Sequence, residues 1–246
     1  MEKFSRTEKL IGKENILKLQ NTSVIIFGAG AVGSFAAEAL VRSGIGKLTI
    51  VDFDVISESN INRQLFALSS TIGLKKTDVA VSRLKDINKD CEINKKDIFV
   101  NTDTIPEILS EKPDIILDAI DSVGPKIELL AYAVQNNIPI FSSMGAARRT
   151  NPMLVKTGDL FLTANCPLAR LMRKALRKRG ITNGITCVYS EELPVRPPKG
   201  ELDEDLTASG HSQKVLGSLP TVTGIFGLML ADAAIKYIIG SISQDI

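Results

Sequence analysis

The stretch Gly28-x-Gly30-x-x-Gly33, lying between an apolar run and a helical pattern, constrains this chain more than any other feature. Residues 24–27 (VIIF) read as a short buried strand that runs straight into the glycines. From 31 to 43 the apolar spacing is helical, and Gly44 ends it. Residues 47–52 (KLTIVD) read as a second strand ending in Asp52, 19 residues after Gly33. Each glycine has its own physical task. Gly28 permits the tight turn, Gly30 lets backbone approach a phosphate, and Gly33 lets helix pack close to strand. The helix N-terminus favours an anion, and a carboxylate at position 52 accepts hydrogen bonds from ribose hydroxyls. The complete strand–loop–helix–strand–acid context predicts a nucleotide site. By itself it does not separate NAD from ATP.

The alternation continues with an amphipathic helix at 75–88, a strand at 93–100, a strand at 114–118, a helix at 123–136 and a strand at 138–141. Strands and helices alternating through short connections predict an α/β fold, a Rossmann-like doubly wound and mostly parallel sheet with right-handed crossovers. Ser5-Arg6-Thr7-Glu8 reads as a capping box starting a short N-terminal helix. After about residue 150 the regularity weakens. A basic helix at 167–179 and a strand at 185–190 follow. A loop at 196–212, rich in Pro, Gly and acid, is expected to be mobile, and an apolar helix closes the chain. The 246 residues are read as a single domain, with a core over about 4–150 and an extension over about 151–246. With 44% apolar residues and no Trp, its core must be aliphatic.

Composition narrows the function classes. A net charge of only +2 means that any nucleic-acid surface is a local patch. Cys91, Cys166 and Cys187 are far apart and form no CxxC pair, which argues against a zinc knuckle and a disulfide framework. The polar start, MEKFSRTEKL, lacks a signal-peptide apolar run, so a reducing cytoplasm is expected. Residues 222–240 are apolar enough to suggest a membrane span. Asp232 and Lys236 inside them would be costly in lipid, so a buried or interface helix without membrane association is expected.

The residues after the second strand point towards ATP. Asn60, Arg63 and Gln64 follow its carboxyl end, Lys76 comes 13 residues after Arg63, and Asp118 and Asp121 lie where the fourth strand exits. In an open α/β sheet these strand ends line one crevice. Two cations and a carboxylate converging on a nucleotide suit adenylyl transfer: the cations neutralise charge growing on the phosphates and the acid holds Mg²⁺. Each residue alone has a plainer reading. An exposed Arg or Lys is usually a solvated charge, and Asp118 or Asp121 would serve to cap the helix that follows.

The run DFDVISESNINRQ, with the glycine loop before it, GLKK after it and DAIDS later, resembles the ATP-dependent adenylating superfamily that includes the ubiquitin-activating enzymes. It also resembles the bacterial enzymes, ThiF and MoeB among them, that adenylate sulfur-carrier proteins. The resemblance covers roughly residues 4–145. It implies that Asp52 binds ribose, that Asn60, Arg63 and Lys76 contact the triphosphate, that Asp121 coordinates Mg²⁺ or stands close to it, and that Ser122 beside it belongs to the nucleotide site. It further implies that Arg6 reaches from one subunit into the other's ATP site, which makes a homodimer. The two CxxC pairs common in the sulfur-carrier branch are absent, and Cys166 and Cys187 are the only candidates for a thioester cysteine. Cys187 alternates within a strand and is expected to pack inside. Cys166 opens a helix, where the dipole would activate its thiol, and a filler role is the other reading.

Further stretches, among them FSRTEKLIGKE, NRQLFAL, DAIDSVGPK, IPIFSSMGAA, LRKRGI and VYSEELP, extend the likeness over nearly the whole chain. They resemble the tRNA threonylcarbamoyladenosine dehydratases. That branch implies ATP-driven activation of the threonyl carboxylate on a modified tRNA adenosine, attack by an internal nitrogen, and loss of AMP to leave a hydantoin-type ring. No thioester is needed. Arg170, Arg173, Lys174, Arg177 and Lys178 recur on one helix face opposite Leu168, Leu171, Met172, Ala175 and Leu176, a stripe suited to an RNA backbone. Arg148 and Arg149 extend that patch. The lone histidine, His211, reads as a surface residue. Three rivals stand beside this function. They are adenylation of the C-terminus of a ubiquitin-like sulfur carrier, a catalytically silent scaffold that binds a sulfur-trafficking partner, and an NAD-dependent oxidoreductase. No DNA partner is expected.

Overall fold

The computed structural model describes residues 2–195, 204–206, 212–214 and 216–240. Its main strands are β1 (Ser23–Phe27), β2 (Lys47–Val51), β3 (Glu92–Lys96), β4 (Ile115–Asp118), β5 (Ile140–Ser143), β6 (Val155–Asp159) and β7 (Thr186–Ser190). They form one sheet in the order β3-β2-β1-β4-β5-β7-β6. All neighbours are parallel except β6, which runs antiparallel along β7. The helices are α1 (Ser5–Ile11), α2 (Lys13–Gln20), α3 (Gly33–Ser43), α4 (Lys76–Ile87), α5 (Thr104–Ile108), α6 (Val123–Gln135), α7 (Pro167–Arg177) and α8 (Pro220–Ile239).

The central strands are buried on both faces, which is why they read as continuous apolar runs. Val24 and Ile26 of β1 pack with Leu40 of α3, Leu84 of α4 and Phe226 of α8 in one core. Ile25 and Phe27 pack with Ile108 of α5, Leu129 of α6 and Met172 of α7 in the other. The apolar α8 is long and apolar enough to cross a membrane, but here it is a core helix. Gly227 brings it so close to α3 that a Cβ there would lie 2.4 Å from the Val32 carbonyl oxygen. Asp232 and Lys236 form an ion pair on its outer side at 2.9 Å.

Several boundaries differ from expectation for identifiable reasons. β3 ends at Lys96, not at 100, because its partner β2 offers only Lys47–Val51 to pair with. β5 begins at Ile140 because Asn137 turns with a φ of 54° and the Ile138 N–H still closes the end of α6 on Ala133 O. The capping box at Ser5 is not made: Phe4 is the N-cap, and no side chain caps α1. β6 was not foreseen. Lys156 and Thr157 are exposed and its pattern is not apolar, so it is a strand only because β7 presents an open edge. Most of the 196–212 loop and His211 lie outside the described residues. Within that stretch β8 (Glu204–Leu206) and β9 (Ser212–Lys214) pair antiparallel.

Candidate active site

β1 sits between β2 and β4, so the chain winds outward through β2 and β3 and then returns across β1 to β4. The connections leaving β1 and β4 part in opposite directions, which opens a crevice at their carboxyl ends. The glycine loop fills its floor. Gly28 N–H donates to Val51 O at 2.8 Å, and Ala119 N–H donates to Phe27 O at 2.8 Å. Gly28 has a φ of 94°, and a Cβ there would meet Ala119 O at 2.8 Å. At Gly33 a Cβ would fall 1.7 Å from Gly28 O. Gly30 differs: a Cβ would meet only Gln64 Nε2, at 3.8 Å. Two glycines are thus required by the protein itself, whereas the third leaves an open side beside Gln64.

Asp52 follows β2 and faces this loop. Its Oδ2 accepts the Ala29 N–H at 2.7 Å and its Oδ1 the Asp54 N–H at 2.9 Å. Burial pushes the Asp52 carboxyl above the usual range, against the nearby Lys76 charge and the two N–H donors. Lys76, the first residue of α4, is only 6% exposed. Its ammonium lies 2.7 Å from Asp54 Oδ2, and its backbone N–H donates to Asp54 O at 3.1 Å. Asp54 was not singled out from the sequence. The signal was the DFD spacing, which puts a second acid two residues beyond Asp52 in extended backbone.

The 57–65 segment leans on the same loop. Asn60 Oδ1 accepts the Ser57 N–H at 3.2 Å, holding a short turn. Leu65 N–H donates to Ser34 Oγ at 3.2 Å, tying the segment to the first turn of α3. Half-buried Arg63 donates through Nη1 to Ser59 O and Asn62 Oδ1, both at 2.8 Å. Among the described residues it has no carboxylate partner. Lys76 is therefore held by an acid, whereas Arg63 is held only by neutral oxygens.

On the far side of the crevice, Asp118 and Lys126 are both fully buried and pair at 2.7 Å. Lys126 also donates to Ile120 O at 2.8 Å, Ser142 Oγ donates to Asp118 Oδ2 at 2.6 Å, and Ile120 N–H donates to Asp118 Oδ1 at 3.1 Å. Asp118 is thus no helix cap, nor is Asp121, since Ser122 occupies the N-cap of α6. The buried pair clamps the turn that presents Asp121, an exposed carboxylate whose near partner is Ser122 Oγ at 3.4 Å. Lys126 was another residue the sequence did not reveal. Lys126→Met should lower unfolding free energy by about 3–5 kcal/mol, because it strands a buried carboxylate. The double variant with Asp118→Asn should recover most of that loss in denaturant melts.

Other expected residues lie elsewhere. The Phe4 ring packs against Gly44, 3.6 Å from the position of a Cβ there, at the end of α3 opposite the glycine loop. Exposed Arg6 lies two residues beyond Phe4, and the helix that separates Gly44 from the loop is about 16 Å long. On α7, Arg170, Lys174 and Arg177 are exposed, as is Lys178 just beyond its end. Arg177 lies over the Phe161 ring at 5.6 Å. Arg173 is half-buried and donates to Thr163 Oγ1 and Leu160 O, so it is drawn into the protein. Leu171, expected on the apolar face, is exposed; Ala169, Met172 and Leu176 are the residues that bury. Arg149 does not extend the surface patch. It is 2% exposed, donates through Nη2 to Asn165 O at 3.1 Å, and has Nε and Nη1 without partners among the described residues. Arg148 turns its Nε to Val195 O. All three cysteines are buried. Burial pushes the Cys187 thiol up to about 12, and Cys166 Sγ accepts the Ala169 N–H as the N-cap of α7. Neither is a ready nucleophile.

The sequence pattern of the ThiF family matches residues 4–245. A tRNA threonylcarbamoyladenosine dehydratase of Bacillus subtilis (strain 168) is 41% identical over 195 residues, 79% of this chain and 77% of that protein. That of Escherichia coli (strain K12) is 33% identical over 248 residues, 96% of this chain and 92% of that protein. The crystal structure of the E. coli tRNA N6-threonylcarbamoyladenosine dehydratase in complex with ATP matches with a TM-score of 0.87 at 33% identity. The match covers 96% of this chain and 93% of that one.

Proposed function

The chain belongs to the ThiF family, and on that footing we propose that it is an ATP-dependent dehydratase acting on threonylcarbamoyladenosine in tRNA. The substrate's threonyl carboxylate oxygen attacks the α-phosphorus of ATP and pyrophosphate leaves. An internal nitrogen then attacks the activated carbonyl carbon, loses its proton and expels AMP, closing the ring with net loss of one water. The observation that carries this proposal is nearly buried Lys76, held by Asp54, two residues beyond the Asp52 that accepts the Ala29 N–H of the glycine loop. A dinucleotide oxidoreductase, which cleaves no phosphate, has no use for it.

The chain's residues divide the work. The N–H groups opening α3 and the open side of Gly30 receive phosphates, and Asp52 takes the ribose hydroxyls. Arg63 and Lys76 stabilise the charge that grows on the phosphates, and Asn60 holds the segment that carries Arg63. Asp121 is the residue fitted to Mg²⁺. Among the described residues no group of three His, Cys, Asp or Glu is set for a metal, but Mg²⁺ commonly takes one or two carboxylates and completes its shell with phosphate and water. The bound ion would neutralise phosphate charge. Ring closure needs no protein nucleophile, because both reacting groups belong to one substrate, and the buried cysteines agree with that.

The acting unit is a homodimer. α1 buries no residue in its own protomer, leaving Leu10 78% exposed, and Arg6 on it is exposed. A partner copy would cover the helix and receive Arg6. The exposed α7 cations track the tRNA backbone. Arg170→Glu with Lys174→Glu should raise the KM for tRNA at least about tenfold and flatten the salt dependence of tRNA binding by about two phosphate contacts. ATP titration should be unchanged. A cytoplasmic setting follows from a tRNA substrate. A sulfur-trafficking protein remains a further partner suggested by kinship with the sulfur-carrier enzymes.

The deciding assay compares ATP consumption with threonylcarbamoyl-modified tRNA, unmodified tRNA and sulfur-carrier proteins ending in Gly-Gly. AMP and pyrophosphate should form only with the modified tRNA, whose nucleoside becomes lighter by one water. Turnover with a carrier protein and none with tRNA would establish the rival reaction instead.

A further inference from the structure

We propose that Asp54 is a positioning residue, whose carboxylate fixes the Lys76 ammonium where the triphosphate is opened. This rests on the adenylating reaction above and adds to it a residue that binds no substrate itself. Lys75 and Lys76 are the N-cap and first residue of α4, two cations at the positive end of a 12-residue helix, where the dipole disfavours them. Each is answered by a separate acid. Lys75 pairs with Asp97 at 3.0 Å, and Lys76 with Asp54 at 2.7 Å.

The two pairs differ in exposure. Lys75 is half exposed, whereas the Lys76 side chain is 7% exposed, so its ammonium has little water and needs a fixed partner. An ammonium has three donors. Asp54 is the one side-chain partner of Lys76 among the described residues, which leaves donors for incoming phosphate oxygens. Asp54 is itself anchored at both backbone groups: its N–H on Asp52 Oδ1 and its carbonyl oxygen on the Lys76 N–H. One residue therefore sets the spacing between the ribose-binding carboxylate and the phosphate-binding cation. Its side chain is 35% exposed, so it fills no core and its loss leaves no cavity.

The sign of the effect separates this role from a structural one. A carboxylate beside a polyphosphate weakens ATP binding by like-charge repulsion. A free Lys76 would be attracted to ATP at least as strongly but would not be aimed. Removing the Asp54 charge should therefore move affinity and rate in opposite directions, whereas general damage to the site lowers both.

The experiment uses the full chain, with ATP titration and single-turnover AMP formation on modified tRNA, for the wild type, Asp54→Asn and Asp54→Glu. Asp54→Asn should bind ATP as tightly as the wild type or up to about tenfold tighter. Its AMP formation should fall about 10- to 100-fold, the usual cost of a misplaced catalytic group. Asp54→Glu should recover part of the rate. An unchanged rate in Asp54→Asn overturns the proposal, and so does a parallel loss of rate and ATP affinity. The binding arm needs no turnover: weaker ATP binding in Asp54→Asn is fatal on its own. A wild type that binds ATP but forms no AMP with modified tRNA sinks the proposed function instead.

Discussion

Lys76→Ala should lower pyrophosphate release from ATP by about 100- to 1,000-fold while leaving the protein folded. That is the usual effect of deleting one donor that stabilises transition-state charge in a site closed to water. The fold should survive because Asp54, the partner left behind, is partly exposed and can be hydrated. Lys76→Arg should not rescue the rate. The planar guanidinium is bulkier than an ammonium and cannot occupy the same nearly buried point beside Asp54. Stopped single-turnover measurements, with ATP affinity measured in parallel, test this. A rate within about threefold of the wild type would remove Lys76 from the chemistry altogether.

The second large effect separates two glycines of one loop. Gly33→Ala should abolish ATP binding and lower stability, because its Cβ would stand 1.7 Å from the backbone oxygen of Gly28. Backbone cannot swing aside as a flexible side chain does, so helix and loop must part, at a cost of about 3 kcal/mol or more. Gly30→Ala should melt within about 0.5 kcal/mol of the wild type, apart from a small propensity change, because its Cβ meets only Gln64 Nε2 at 3.8 Å. It should nevertheless bind ATP at least about tenfold more weakly, since the methyl occupies the side on which a phosphate approaches backbone. Thermal melts with and without ATP separate the two variants. If both lose stability alike, Gly30 serves the fold and not the nucleotide.

Much of the architecture could be read from the chain because it is encoded locally. β1, the glycine loop and α3 are consecutive, and Gly28 and Gly33 are demanded by backbone within a few residues or beside the adjoining strand. α8 and the basic side of α7 were likewise visible as patterns of one residue type. What escaped were elements with no such pattern. β6 is a strand because β7 has a free edge, and α5 is five residues long.

Within the candidate site, Asp52, Asn60, Arg63, Lys76 and Asp121 were proposed because they fall at strand ends and helix starts, where a doubly wound sheet collects them. Their partners were not. Asp54 meets Lys76 across 22 residues, and Ser142 meets Asp118 across 24. Nothing in the sequence singles out Lys126 within the 123–136 helix, yet it is fully buried. Arg149 failed in the same sense: an apparent surface charge that the fold encloses.

By itself the sequence determined the glycine loop, the sheet's winding and the identity of the cations proposed to meet a phosphate. Those depend on backbone sterics and on periodicity within a few consecutive residues. Only the tertiary structure decided which charges are desolvated and which acid answers each of them. Burial and ion pairing depend on distant segments arriving at one place, and the strength of a charge depends on how much water that arrival removes.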